Sequence, residues 1–179
     1  MLGMSVTSAP LTALRCAVSL LHFTVAIATA RRTPLVRMGS PRALLSALPA
    51  LIVAGVAFRL AAPLESWPTS IEVVFLLGAA LAIVTFISMG ESFAVLPARR
   101  RIVSTGPYRI VRHPAYAGEL LMIAACAASN PSAASALVLV GALPLVALRI
   151  RAEETLLSQS DAYRSYRAKV PFRVIPCLW

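Results

Sequence analysis

Charge is scarce in this chain, and acid is scarcer still: 13% of its 179 residues are charged, and only seven are Asp or Glu. Soluble domains usually carry about 25% charged and roughly 45–50% apolar residues. Here 59% are apolar, which excludes an ordinary water-soluble core. Histidine occurs twice and cysteine three times, with Cys16, Cys126 and Cys177 far apart and no CxxC pair. That excludes the usual structural zinc frameworks, and Cys16 and Cys126, in apolar runs, read as small hydrophobes. Lysine occurs once; the other sixteen basic residues are arginine. The net charge of +10 would suit nucleic acid if it formed one face. Instead the arginines cluster between apolar runs, the pattern of a membrane protein with basic loops, so nucleic acid is not an expected partner. Positive charge is also missing from residues 1–10. A cleaved signal peptide opens with basic residues, so the first apolar run reads as a retained span.

What is abundant is apolar sequence in lengths of about 20 residues, enough to cross ~30 Å of hydrocarbon. The runs are Leu11–Ala30, Ala43–Ala62 and Ile71–Gly90, then the shorter Ala115–Ala128 and Ala133–Leu148. The last two form a predicted helical hairpin turning at Asn130-Pro131, with Ala124, Ala125, Ala127, Ala128, Ala133 and Ala134 allowing close approach. Lys and Arg outside the runs fall in 31–42, 91–114 and 149–179; the N-terminus and the 63–70 and 129–132 connections have none. Five spans put all three basic segments on one side, so the expectation is an all-α, five-span protein with its N-terminus outside and C-terminus cytoplasmic. Arg15 and Arg59 read as snorkelling from near span ends, and His22 as a packed neutral histidine. Residues 1–90 would hold the first three spans. Residues 91–179 would hold cytoplasmic functional segments around the hairpin, within a single domain.

Two cytoplasmic segments are too particular for plain loops. In Gly106–Gly118 a Gly-Pro turn, two tyrosines, two arginines, His113 and Pro114 lead into the fourth run. Pro114 suits the first turn of a helix, where its missing N–H costs nothing. The bend before it is expected to leave His113 and backbone N–H groups facing outward, a place that favours an anionic or polar ligand group. A basic loop gripping lipid headgroups would account for Arg109 and Arg112, but not for the prolines, tyrosines and histidine at one bend. In the second segment Arg149 and Glu153 are four apart and share a helix face. They read either as a surface ion pair worth about 0.3–0.5 kcal/mol or as a clamp for a zwitterionic ligand.

Gly106-Pro-Tyr108 and Arg112-His-Pro-Ala-Tyr-Ala-Gly118 resemble the signature of the isoprenylcysteine carboxyl methyltransferases and the related membrane phospholipid methyltransferases. The tail resembles the same family's ending: Glu153-Glu154, Tyr163 and Tyr166 in a Tyr-x-x-Tyr, Val170-Pro171 and Ile175-Pro176. The resemblance covers roughly residues 88–176. It implies S-adenosyl-L-methionine in a cytoplasmic pocket between the 100–116 segment and the C-terminal helix. By analogy Arg100, Arg101, Ile102 and Val103 would line the cofactor beside Tyr108, with His113, Pro114, Ala115 and Tyr116 continuing the wall. Glu153 would bind it from the tail, and Arg149 would serve the methyl-acceptor side as the catalytic residue. Positioning and desolvation suffice for direct methyl transfer, so no metal is required. The implied reaction is most like O-methylation of an isoprenylcysteine carboxylate, with a phospholipid amine or a thiol as other acceptors; the partners are a lipophilic or lipid-modified substrate and membrane lipid. The family's usual glycine before the first tail tyrosine is replaced by Ser160-Asp161. Two other readings stay open: a sterol-reductase-like membrane reductase using a nicotinamide cofactor, and a non-catalytic membrane scaffold.

Overall fold

The structure, a computed structural model, describes residues 9–30, 37–38, 41–90, 98–99 and 102–179. In chain order the elements are α1 (Ala9–Ala30), β1 (Arg37–Met38), α2 (Pro41–Leu60), α3 (Thr69–Met89), β2 (Ala98–Arg99), α4 (Pro114–Ser129), α5 (Ala133–Leu157) and α6 (Asp161–Lys169). Single 3₁₀ turns cover Leu64–Ser66 and Gly106–Arg109. The architecture is helical, apart from the antiparallel pairing of β1 and β2, which sets Arg37 opposite Arg99.

Five helices lie where the apolar runs predict them, with starts displaced by no more than two residues. α3 and α5 are each long and apolar enough to cross a bilayer. Both leave large aliphatic side chains bare, including Ile87 at 66% and Leu137 at 73% exposure. Water would penalise such a surface, whereas lipid does not. α4, at 16 residues, is about 24 Å long at 1.5 Å per residue.

Two differences from the sequence expectation matter for the site. First, α5 does not stop at Leu148 but runs 25 residues to Leu157. Arg149–Leu157 contains strong helix formers and no Gly or Pro, so nothing breaks the helix where it leaves the apolar run. It ends at Ser158, whose backbone N–H still bonds the Glu154 carbonyl. The functional residues of the second segment therefore sit on a rigid extension of the fifth apolar helix.

Second, α4 also approaches α3 very closely. Of the hairpin alanines Ala125 is buried, while Ala128, Ala133 and Ala134, beside the turn, are exposed. The backbones of α3 and α4 touch. A Cβ added at Gly118 would stand 2.6 Å from the Gly78 carbonyl oxygen, and one added at Gly78 would stand 2.8 Å from that of Gly118. Small residues permit such crossings in membranes, and this one fixes the axial position of α4, hence of the bend that precedes it.

At the far end the hairpin turn is tied to the end of α2. The Ser129 hydroxyl accepts from Ala62 N–H at 3.1 Å, and the Asn130 amide donates to the Leu60 carbonyl at 2.8 Å. Ser132 caps α5, its hydroxyl accepting from Ser135 N–H. An apolar cluster of Ala57, Trp67, Phe75, Ala79, Ile123, Ala125, Cys126 and Ala142 fills this half of the bundle. The polar bend and tail occupy the opposite end.

Candidate functional site

The bend begins at Gly106, whose φ of +58° lies in the left-handed region, where a side chain would be strained. An added Cβ would also stand 2.8 Å from the Ser88 hydroxyl on α3. The 3₁₀ turn that follows turns Tyr108 inward, and residues 111–114 are all buried. Pro114 opens α4 as expected.

The tail then lies against the bend. Arg112 N–H donates to the Phe172 carbonyl at 2.9 Å, and His113 N–H to that of Arg173 at 2.8 Å. The Arg112 guanidinium reaches past them to the carbonyls of Val170 and Pro171, at 2.8 and 2.6 Å. So the bend's backbone donors and His113 do not face outward. The returning chain between α6 and the C-terminal turn satisfies them, as buried polar groups require.

Behind the strap lies Glu154. Its Oε1 accepts from Arg112 Nε at 2.9 Å and from Nη2 at 2.8 Å, both bonds ending on the one oxygen. His113 Nε2 is 3.2 Å from the same oxygen, and the Tyr163 hydroxyl donates to it at 3.4 Å. Oε2 accepts from Arg173 Nε at 3.0 Å. Burial alone would push this carboxyl up, but the hydrogen bonds from His113 and Arg112 outweigh it and hold the pKa well below the usual carboxylate range. Glu154 is thus an ionised hub joining α4, α5, α6 and the tail.

Glu153, next in sequence, points elsewhere, because neighbours on a helix are ~100° apart. Its Oε1 accepts from the Tyr116 hydroxyl at 2.6 Å, and its Oε2 is 3.8 Å from His113 Nδ1. The side chain remains 20% exposed, against 7% for Glu154. Arg149, one turn earlier, is buried, with its guanidinium 4.9 Å from the centre of the Tyr116 ring. It is therefore not half of a solvated surface pair. Tyr116 links the two: cation on its face, carboxylate on its hydroxyl.

A third group lines the other flank. Tyr108, Tyr163, Tyr166 and Val170 form a buried cluster with Met89, Ile102, Val103 and Leu157 packed on it. The Tyr166 hydroxyl donates to the Tyr108 carbonyl at 2.7 Å, fixing α6 to the bend. Burial raises the Tyr108 phenol far above its usual value, with a further push from the Glu153 carboxylate. Burial likewise pushes Tyr166 up to about 12. Both stay neutral donors at any physiological pH.

Most of the expected residues thus come together. Ile102, Val103 and Tyr108 share one wall; His113, Pro114, Ala115 and Tyr116 form the end of the bend and the first turn of α4, against Glu153 and Arg149. Arg100 and Arg101 lie outside the described residues. The sequence reading missed Glu154 as the hub, and Arg112 and Arg173 as its partners. The Glu153-Glu154 pair and the Arg-His-Pro motif were visible signals for the first two. Nothing marked Arg173.

The donor set fits S-adenosylmethionine chemically. That ligand presents an amine, a carboxylate, a sulfonium and an apolar adenosine. Glu153 has acceptor capacity left for a cation, Arg149 is a cation beside it, and the Tyr108–Ile102–Val103 flank offers aromatic and aliphatic surface. Arg112 and Glu154 do not fit as ligand groups, since they saturate each other and the tail.

A model of the phospholipid methyltransferase family matches residues 71–164, more than half of the chain. The match begins two residues into α3 and takes in the bend, the hairpin, both glutamates and Tyr163. No curated protein matches the chain.

Proposed function

The chain belongs to the phospholipid methyltransferase family of integral membrane methyltransferases, which includes the isoprenylcysteine carboxyl methyltransferases, and from that premise we propose that it transfers the methyl group of S-adenosylmethionine to a lipophilic acceptor at the membrane surface. The observation that carries the proposal is the division of labour between two adjacent glutamates. Glu154 is consumed by Arg112, His113, Tyr163 and Arg173. That leaves Glu153 oriented but not saturated beside Tyr116 and Arg149.

When bound, the cofactor supplies a methyl already activated on a cationic sulfonium. What is asked of the protein is orientation and exclusion of water. Glu153 serves the cofactor's cationic groups, and Tyr108, Ile102 and Val103 its adenosine. His113, Pro114, Ala115 and Tyr116 form the wall that the Glu154 hub holds still, and Arg100 and Arg101 complete the set by family analogy. Arg149 faces the acceptor. In this reading the five apolar helices all cross the bilayer, with the N-terminus outside and the site cytoplasmic. Residues 1–90 anchor, and residues 91–179 carry the chemistry.

The acceptor could carry a prenylcysteine carboxylate, a lipid amine or a thiol; all three require an apolar route to a polar head. The test is transfer of tritium from methyl-labelled S-adenosylmethionine into the organic-extractable fraction of membranes containing the protein. Wild type should label that fraction, and Arg149→Ala should label it at least about tenfold less, the effect of losing roughly 1.4 kcal/mol of transition-state stabilisation. Equal labelling by membranes lacking the protein would overturn the proposal.

A further inference from the structure

Residues 173–179 carry an apolar surface that the Glu154 hub does not use. Arg173 is followed by Val174-Ile-Pro-Cys-Leu-Trp179, six residues without a charge. Leu178, at 75% exposure, is the barest large apolar side chain among the described residues, and Ile175 and Cys177 are exposed too. Yet the turn does not stand out into water beyond the site. Val174 is buried in a cluster with Tyr116, Val146 and Ile150, and Trp179 packs on that cluster, as do Leu120 and Leu145. Leu145 and Val146 belong to the apolar run Ala133–Leu148. Val146 lies eleven residues before the end of α5 at Leu157, about 17 Å back along the helix axis. On either side of that level α5 leaves Leu143 and Leu148 bare as well. A single exposed leucine needs no explanation, but this one extends a helix surface that suits lipid rather than water.

Irregular backbone is tolerated at membrane depth only where its polar groups are satisfied, and here they are. The N–H groups of Arg173, Val174 and Ile175 converge on the main-chain oxygen of Trp179 at 2.9, 2.9 and 3.1 Å. Those of Leu178 and Trp179 donate to the Ile175 carbonyl at 3.2 and 3.1 Å, and Pro176 has none to place. Cys177, with a φ of +64°, closes the turn in the left-handed region. Resting on the crossing of the bilayer by α5, we propose that residues 174–179 are a membrane-dipping anchor, whose Ile175 and Leu178 lie among the acyl chains of the leaflet nearest the site. Arg173 joins this anchor to the hub. Its Nε donates to Glu154 Oε2 at 3.0 Å, and its guanidinium lies 5.4 Å from the centre of the Trp179 ring. The strap over Arg112 and His113 is thereby held from the membrane as well as from Glu154.

The test places a nitroxide on Cys177 of the full-length chain, in a Cys16→Ser, Cys126→Ala background, in phosphatidylcholine liposomes. Its collisions with oxygen, which enters hydrocarbon, are compared with its collisions with a water-soluble nickel chelate. Two controls, each in the same background with Cys177→Ser, calibrate the ratio: Leu143→Cys on the bare face of α5, and Ser165→Cys on the exposed side of α6. The oxygen-to-chelate ratio at Cys177 should approach that of Leu143→Cys and exceed that of Ser165→Cys by at least about tenfold, because a polar chelate must shed water to enter hydrocarbon. A ratio at Cys177 equal to that of Ser165→Cys overturns the inference. A second measurement needs no label. In Trp67→Phe, Trp179 is the sole tryptophan, and lipids brominated on their acyl chains should quench its emission; emission unchanged by bromine overturns the inference too. A water-like ratio at Leu143→Cys would instead sink the bilayer crossing of α5, and the anchor with it. Cofactor binding enters none of these readings, so the methyltransferase proposal stands or falls separately.

Discussion

Replacing Glu154 by Gln keeps the shape of the side chain and removes its charge. The consequences follow from what surrounds it. The Arg112 side chain is 3% exposed and that of Glu154 is 7% exposed, so water cannot re-solvate the guanidinium when its counter-charge is gone. The amide would still offer one oxygen, but its NH₂ would confront either the Arg112 fork or the Arg173 Nε, both of which only donate. Breaking a buried pair from one side typically costs about 3–5 kcal/mol, because the remaining charge is left uncompensated. For a chain of this size, at 2–4 °C per kcal/mol, that corresponds to a fall of roughly 6–20 °C in the unfolding midpoint. The assay is thermal unfolding of detergent-purified protein followed by tryptophan fluorescence. Trp179 lies on the strapped tail, its ring 5.4 Å from the Arg173 guanidinium, and reports directly on the region that should loosen. Glu153→Gln is the control: it disturbs one hydrogen bond, to Tyr116, worth about 1 kcal/mol. Should Glu154→Gln unfold within about 2 °C of wild type, a shift of less than ~1 kcal/mol, the hub would not be holding the tail and the reasoning would fail.

Gly118→Val should destabilise by about 1–3 kcal/mol through overpacking, because its Cβ would meet the Gly78 carbonyl on α3. Denaturant unfolding checks this, and a neutral effect would mean that the α3–α4 crossing is looser than described. Acid should act through Glu154. Its folded pKa is depressed, so the stability it contributes is fully present above the ordinary carboxylate value near 4.3 and is lost as pH falls below it toward the folded pKa. Unfolding midpoints measured downward from pH 6 should hold until about pH 4.5 and then decline; a decline centred near pH 6 would assign the sensitivity to another group. Tyr166→Phe removes the hydroxyl that donates to the Tyr108 carbonyl and leaves that buried oxygen short of a donor. It should cost about 1–3 kcal/mol and speed proteolysis of the tail relative to wild type.

Much of the architecture was legible because the bilayer demands uninterrupted apolar length, and five such runs mark five helices. Pro114 at the first turn and the break at Asn130-Pro131 were likewise local signals with local outcomes. The site was legible in part. The Arg-His-Pro-x-Tyr stretch and the paired glutamates stood out as residues too polar for their surroundings, and the structure brings them together. What could not be read was the assignment of partners. Glu153 and Glu154 are identical in chemistry, and only the rotation of α5 against α4 decides which faces Arg112 and which faces Tyr116. Arg112 and Glu154 are 42 residues apart, and no periodicity encodes that pairing. Arg173 looked like one more basic tail residue until the strap returned it to the hub. The Gly78–Gly118 contact was hidden for the same reason, since a glycine in an apolar helix declares closeness to something without naming it.

On the proposed function, the bend, strapped by the tail and anchored on Glu154, presents Glu153 to S-adenosylmethionine. Calorimetric titration of the detergent-purified protein with that cofactor tests it most directly, with Glu153→Ala and His113→Ala alongside and unfolding midpoints recorded for each. Saturable binding by wild type is expected, weakened at least about tenfold in Glu153→Ala without a comparable loss of stability. A folded wild type that does not bind the cofactor, or a Glu153→Ala variant that binds it as tightly as wild type, would contradict it.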